Sequence, residues 1–242
     1  MLLKVLGSSS SGNCYILDNG TEALIIEAGI KFQDVKKALK FNIRKVAGCV
    51  ITHHHGDHSK YLNDMAGTFP TLALKDVFDF RDVHTHKCIE IQPLRGYQVG
   101  NFKVLPFPVN HDVPTVGYMI DHPDMGRLIF ATDTCSLDTW VPDVQHVMIE
   151  CNYSLKYLAE AVSEGRTYAK QLERLPKAHL SLADCKEVLK ENDLSKVSEI
   201  LLIHLSANNS AAEEFEKEIA DATGKTVYIA SPGMELELNK IY

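Results

Sequence analysis

Four histidines and one aspartate crowd the eight residues THHHGDHS, positions 52–59. Imidazole nitrogen and carboxylate oxygen are the side-chain donors that suit zinc, and also manganese or iron. In an extended segment alternate residues face the same side. His53 and His55 can therefore chelate one ion together while His54 points elsewhere. Gly56 permits a sharp turn, after which Asp57 and His58 can face a second ion. A chance loop is the competing explanation of the full HxHxDH pattern, and it is much the weaker one.

Further candidates are marked by what precedes them. His53, His55, Asp57 and His58 follow VAGCVIT, His111 follows FKVLPFPVN, Asp133 follows RLIFAT, Glu150 ends HVMIE and His204 ends EILLIH. Five apolar runs thus each deliver a histidine or a carboxylate at their carboxyl end. In layered α/β proteins, sites gather at the carboxyl ends of strands, so groups far apart in sequence can meet. Two ions about 3.5–4 Å apart need a bridging carboxylate and form a clamp for hydrolysing phosphate esters. His54, His84, His86, His122 and His146 lack that context and read as surface or core histidines. Glu150 has a plain alternative, a strand that simply ends in water.

The elements that must position these groups are short. Further apolar, β-branched runs read as strands: LLKVL, CYIL, EALIIEA, VGYMI and TVYIA. Helical patterns are fewer: FQDVKKALKFN, then SLADCKEVLKEN opened by Ser181 as N-cap, then SAAEEFEKEIADATG. The last pairs Ser210 with Glu213 as a capping box and stops at Gly224. Segment 153–176 reads as two helical pieces broken near Gly165. Strands with helices outside the sheets imply a layered α/β protein.

The chain has 242 residues, enough for one large domain. Its formal net charge of −7 gives no general attraction to nucleic acid or anionic membrane. Six scattered cysteines without CxxC spacing read as free thiols in a reducing compartment. No segment reads as a signal peptide or membrane span, and a cytoplasmic location is expected.

The pattern HxHxDH, then a histidine, an aspartate and a late histidine, resembles the metallo-β-lactamase superfamily along nearly the whole chain. LGSSSSGNCYIL is similar to the SGSxGN opening of its YycJ/WalJ-like branch. PVNHD, FATDT and IECNYS resemble that branch's SHD, TDT and ESN stretches. GRTYAKQLERL is similar to a tyrosine-containing helix segment, and AHLS and LLIHLSANN to the final histidine motifs. Ribonuclease Z carries a similar pair of late histidines.

The resemblance implies a single αββα sandwich domain spanning 1–242, with the site at one edge between two sheets. It implies one ion on His53, His55 and His111, a second on Asp57, His58 and His204, and Asp133 bridging them. It also implies catalytic roles for His179 as proton donor, for Glu150 as its partner, and for Asp57. Zinc is the first expectation and manganese the second; a homodimer is expected too. Two departures stand out. Glu27 in IIEAG replaces the family's usual aspartate, and Leu182 stands where an asparagine usually follows Ser181.

The implied reaction is phosphodiester hydrolysis. Two substrates fit: 3′,5′-cyclic mononucleotides, as for the phage anti-Pycsar enzymes of this superfamily, or single-stranded DNA or RNA cut by a YycJ-like nuclease. No basic run exists for gripping several phosphates, and the metals alone could balance one negative charge. The small nucleotide is therefore narrowly preferred. A thioesterase, or a metal-binding module without catalysis, are the other classes. Turnover of a thioester, or zinc content with no phosphodiester turnover, would mark them.

Overall fold

Runs buried on both faces build the middle of each sheet. The computed structural model describes residues 1–137 and 142–240. The first sheet contains β1 (Leu2–Ser9), β2 (Gly12–Asp18), β3 (Ala23–Ile26), β4 (Val46–Val50), β5 (Thr71–Ala73) and β6 (Cys88–Glu90). The second contains β7 (Tyr97–Val99), β8 (Phe102–Val109), β9 (Thr115–His122), β10 (Gly126–Ala131), β11 (Val144–Glu150), β12 (Glu199–Ile203) and β13 (Thr226–Ile229). A last strand, β14 (Glu235–Glu237), returns to the free edge of β1. The spatial orders are β14-β1-β2-β3-β4-β5-β6 and β13-β12-β11-β10-β9-β8-β7. Antiparallel pairing runs from β14 to β3 and from β7 to β10. Parallel pairing runs from β3 to β6 and from β10 to β13. The parallel strands point their carboxyl ends at the same edge, and the site assembles there.

The helices are α1 (Phe32–Ala38), α2 (Gly56–Ser59), α3 (Leu62–Thr68), α4 (Lys75–Arg81), α5 (Leu155–Ser163), α6 (Gln171–Ala178), α7 (Leu182–Glu191) and α8 (Ala212–Thr223). Alternation along the strands explains the layering. In β3, Leu24 and Ile26 face the second sheet, with Tyr15, Tyr118, Phe130 and Leu201, while Ala23 and Ile25 face Val35, Met65 and Phe78 of the helices. In β12, Leu201 and Ile203 join the core between the sheets, while Ile200 and Leu202 pack under Cys185, Leu189, Phe215 and Ile219 of α7 and α8. Three cores separating four layers make the αββα sandwich that the resemblance implied, in a single domain.

Several local readings change. The capping box at Ser210 and Glu213 does not form: α8 begins at Ala212, Ala211 occupies the cap, and the Ser210 hydroxyl donates to the Ser206 carbonyl at 2.6 Å. Ser181 does cap α7, accepting from the Asp184 N–H at 3.1 Å, and Gly224 ends α8 with φ 66°. The first helix stops at Ala38, and Lys40 and Phe41 take positive φ. Gly56 makes no positive-φ turn. It opens α2, and a Cβ there would meet nothing closer than Arg81 Nη2 at 3.8 Å. All six cysteines are free, as expected, four of them buried.

Candidate metal centre and its cleft

Five of the candidate side chains hang from the carboxyl ends of strands, and His179 caps the end of α6. His53 follows β4, His111 follows β8, Asp133 follows β10, Glu150 ends β11 and His204 follows β12. Asp57 and His58 lie in α2, directly after His55. Glu27, Asp133 and His204 hold positive φ of 69°, 48° and 55°. Such backbone is uncommon outside glycine and persists where surrounding structure enforces it, often at functional sites.

The residues converge in three overlapping groups. One donor atom each from His53, His55, His111 and Asp133 lies within 4.8 Å of the others. The same holds for Asp57, His58, Asp133 and His204, and for Asp133, Glu150, His179 and His204. Asp133 belongs to all three. Its Oδ2 is 3.6 Å from both His53 Nε2 and His111 Nε2, and its Oδ1 is 3.4 Å from His58 Nε2 and 3.2 Å from His204 Nδ1. That is the placement of a carboxylate shared between two clusters. His54 turns away. Its Nδ1 meets Asp76 at 2.6 Å and its ring stacks on Phe80 at 3.9 Å. His122 contacts Glu22, and His146 is held by Glu199 and the Met125 carbonyl, so both are hydrogen-bonded core histidines. His84 and His86 are exposed.

Partners behind the cluster orient it. The His111 Nδ1–H donates to the Ala178 carbonyl at 2.8 Å, which turns Nε2 toward the centre, where it faces Asp133, Asp112 and His55. His53 Nδ1 meets Thr52 Oγ1 at 2.9 Å, and that hydroxyl donates to Glu27 Oε1 at 2.6 Å. Glu27 Oε1 also lies 3.3 Å from His58 Nδ1. The glutamate that departs from the family's aspartate therefore reaches both halves of the cluster. Gly29 allows this close packing: a Cβ on it would fall 1.7 Å from the Asp57 carbonyl oxygen.

On the cleft side, Glu150 Oε1 accepts from His179 Nδ1 at 2.7 Å and from His204 Nδ1 at 2.9 Å. Its Oε2 accepts from the backbone N–H groups of Thr134 and Leu180, both at 3.2 Å. Glu150 is fully buried, so it is not a strand end in water.

The electrostatics follow from packing carboxylates and imidazoles together. Burial pushes the Asp133 carboxyl up, but His204, His58 and His53 outweigh it and hold it well below the usual range. Asp57 is likewise lowered against burial, by His204 and His58. Burial pulls His204 down, yet Asp133, Asp57 and Glu150 raise it to about 10. His53 is depressed by burial and by His58. Burial also opposes the rise at His179, and Glu150 reverses it.

These donors fit divalent cations. His53 Nε2 is buried and has no hydrogen-bond partner, although it points at Asp133. A buried imidazole nitrogen without a partner is costly, and a cation would satisfy it. The carboxylates kept ionised by the histidines would equally balance metal charge, the bound protons being released.

A cleft of about 420 Å³ opens over the cluster. His55, Asp57, Asp133, His179 and His204 form its floor, α6 contributes Gln171, Arg174 and Leu175, and the loop after β12 contributes Ser206, Asn208 and Asn209. Sequence reasoning missed Asn13, whose Nδ2 sits 3.1 Å from His58 Nε2, and Asn152, which holds the His204 carbonyl at 2.8 Å. It also missed Asp112, whose Oδ1 is 3.0 Å from His111 Nε2. Each had a signal: Asn13 in the SGN of the opening motif, Asn152 in IECNYS and Asp112 in PVNHD.

The beta-lactamase superfamily domain matches residues 23–205. The chain is 28% identical over 127 residues to ribonuclease Z of Methanopyrus kandleri, covering 47% of this chain and 42% of that protein, less than half its length. It is 24% identical over 223 residues to exodeoxyribonuclease YycJ of Bacillus anthracis, covering 86% and 84%. The metallo-beta-lactamase fold protein YhfI of Bacillus subtilis superposes with a TM-score of 0.73 at 17% identity, over 98% of this chain and 99% of that one.

Proposed function

The chain belongs to the beta-lactamase superfamily, and from that membership and the geometry of its cleft we propose that it is a metal-dependent phosphodiesterase acting on nucleotides. The observation that carries this reading is the buried Glu150–His179 pair beside the Asp133-centred clusters. A hydrolase whose leaving group departs unaided needs no such held acid; an alkoxide leaving group does.

In this reading His53, His55 and His111 would hold one divalent ion and Asp57, His58 and His204 a second, with Asp133 between them. Zinc is the first choice and manganese the second. Such ions, when bound, polarise the phosphate and lower the pKa of water. The chain's own side chains supply the rest. Glu150 fixes the His179 tautomer with the proton on Nδ1 toward itself and favours the imidazolium, so that Nε2 can give its proton to the departing oxygen. Asp57 lines the cleft and would also accept a hydrogen bond from the attacking water.

For the substrate we favour 3′,5′-cyclic mononucleotides narrowly. Arg174 is the only lysine or arginine among the described residues lining the cleft, which suits a single phosphate. Single-stranded nucleic acid is the second reading. The relatives named exodeoxyribonuclease and ribonuclease Z support it. So does segment 155–178, where Lys156, Arg166, Lys170, Arg174 and Lys177 outnumber Glu160, Glu164 and Glu173, and where Tyr168 is exposed. Metal-loaded protein should be assayed side by side on cyclic mononucleotides and on end-labelled single-stranded DNA and RNA. Cleavage of the cyclic compounds alone supports the first reading. Shortening of the polymer with cyclic compounds untouched replaces it with the second, and no turnover of either removes both. A cytoplasmic homodimer belongs to the same proposal, and sedimentation tests its oligomeric part. Among the described residues no helix is long and apolar enough to cross a membrane.

A further inference from the structure

We propose that Arg174 is the anion clamp of the cleft: its guanidinium, parked on Asp112 beside His55 and His111, binds a phosphate oxygen of the substrate. This rests on the phosphodiester reading above. Arg174 Nη2 lies 3.3 Å from Asp112 Oδ2, and Asp112 Oδ1 lies 3.0 Å from His111 Nε2 and 3.5 Å from His55 Nε2. One carboxylate therefore separates the guanidinium from the first histidine cluster.

The helix that carries Arg174 is fixed against the site at two points. Ala178, one turn further along α6 and on the same face, accepts the His111 Nδ1–H at 2.8 Å. Leu175, the next residue, is buried against Tyr153 and Leu158. The backbone at position 174 is thus held by the site itself, while the side chain remains half exposed, at 50%.

A structural arginine would look different. The single contact to Asp112 is at the long end of hydrogen-bond distances, and Asp112 is itself 40% exposed. Exposed pairs of this kind contribute little to stability. The guanidinium is free to exchange a carboxylate for a phosphate, whose oxygens it can meet in bidentate fashion. The rest of the wall is neutral: Thr167, Gln171, Ser206, Asn208 and Asn209 carry no charge to compete for the anion.

The test uses the full-length metal-loaded protein and the variants R174A, R174K and K217A, the last being an exposed cation on α8 outside the cleft lining. Inorganic phosphate is titrated calorimetrically, metal content is measured, and KM and kcat are taken for bis-p-nitrophenyl phosphate, a cyclic mononucleotide and a 5′-phosphorylated dinucleotide. R174A should weaken phosphate about tenfold or more with metal content intact, R174K should recover part of the loss, and K217A should match the parent. KM should rise more than kcat falls. A KM rise on all three substrates would place the clamp on the scissile phosphate; a rise on the dinucleotide alone would place it on the neighbouring phosphate, and either supports it. Equal phosphate affinity in R174A and the parent overturns the proposal, as does loss of metal in R174A. A weakened phosphate site in a protein that turns over no phosphodiester would keep the clamp and remove the reaction.

Discussion

Replacing Glu150 with glutamine probes the proposed acid without changing its shape. In the parent, Glu150 Oε2 receives two backbone N–H groups, from Thr134 and Leu180, and Oε1 receives the two imidazoles of His179 and His204. Only an oxygen can satisfy the backbone pair, so the glutamine NH2 must face the imidazoles. An N–H donor placed 2.7 Å from His179 Nδ1 requires that nitrogen to give up its proton. His179 then carries its proton on Nε2 as a neutral imidazole, a far weaker acid. General acid catalysis contributes about 10²–10⁴-fold, so Glu150→Gln should slow cleavage of an alkoxide-leaving nucleotide by about 10²–10³-fold, or about 3–4 kcal/mol. The same variant should lose less than about tenfold on bis-p-nitrophenyl phosphate, whose nitrophenolate leaves without a proton. Steady-state kcat on both substrates, with metal content measured in parallel, decides the matter. Equal losses on the two leaving groups at matched metal content would refute the reasoning.

Other expectations follow from the same coordinates. His55→Ala and Asp133→Ala should lose metal and activity together, whereas His179→Ala should keep metal and lose rate; elemental analysis with kinetics separates them. Glu27→Asp withdraws the carboxylate from Thr52 Oγ1 and His58 Nδ1 and should weaken metal binding about 10–100-fold, read by chelator competition. Asp18 is a stability test. Burial pushes its carboxyl up, but hydrogen bonds from Lys45, Gly20 and Lys4 outweigh this and hold it low. Its contribution is therefore full above the unfolded carboxyl pKa, about 3.9, and is lost as pH falls through the lower folded value. Asp18→Asn should cost about 1–3 kcal/mol near neutrality by taking the Asp18 carboxylate from the largely buried Lys4 and Lys45. The cost should shrink in acid; a denaturation midpoint that falls equally at all pH values would contradict the assignment.

The candidate metal ligands were legible because they follow apolar runs or sit in one dense motif; His179, in LPKAHLS, was legible only through the family resemblance. Each of these strands delivers one group, just past an apolar run long enough to read as a strand. The local chain between Gly56 and Val99 was not legible. Helices α2, α3 and α4 have four to seven residues, and β5, β6 and β7 three each, too few for a period to show. The failed capping box has a different cause. Ser210 finds the Ser206 carbonyl, a local competitor that a sequence pattern cannot weigh. Thr52 is an ordinary polar residue until folding puts it behind His53, and the motifs that hold Asn13 and Asn152 do not say which histidine each will meet. Asp112 and Arg174 are separated by 62 positions, and nothing in either neighbourhood announces the other.

The two sheets contribute to the cluster on equal terms. His53 hangs from β4 and His58 from the helix behind it, while His111, Asp133 and His204 hang from strands of the opposite sheet. An ion bound by both sets would act as a rivet through the open edge of the sandwich. Its affinity would then be thermodynamically linked to the docking of one half of the polypeptide on the other, since the unfolded chain offers no such cage. At a free ion concentration a hundred times the dissociation constant, that linkage adds about 2.7 kcal/mol to the folded state. Chelation would thus loosen the seam between the halves as well as silence the chemistry, and neither half expressed alone could assemble the rivet.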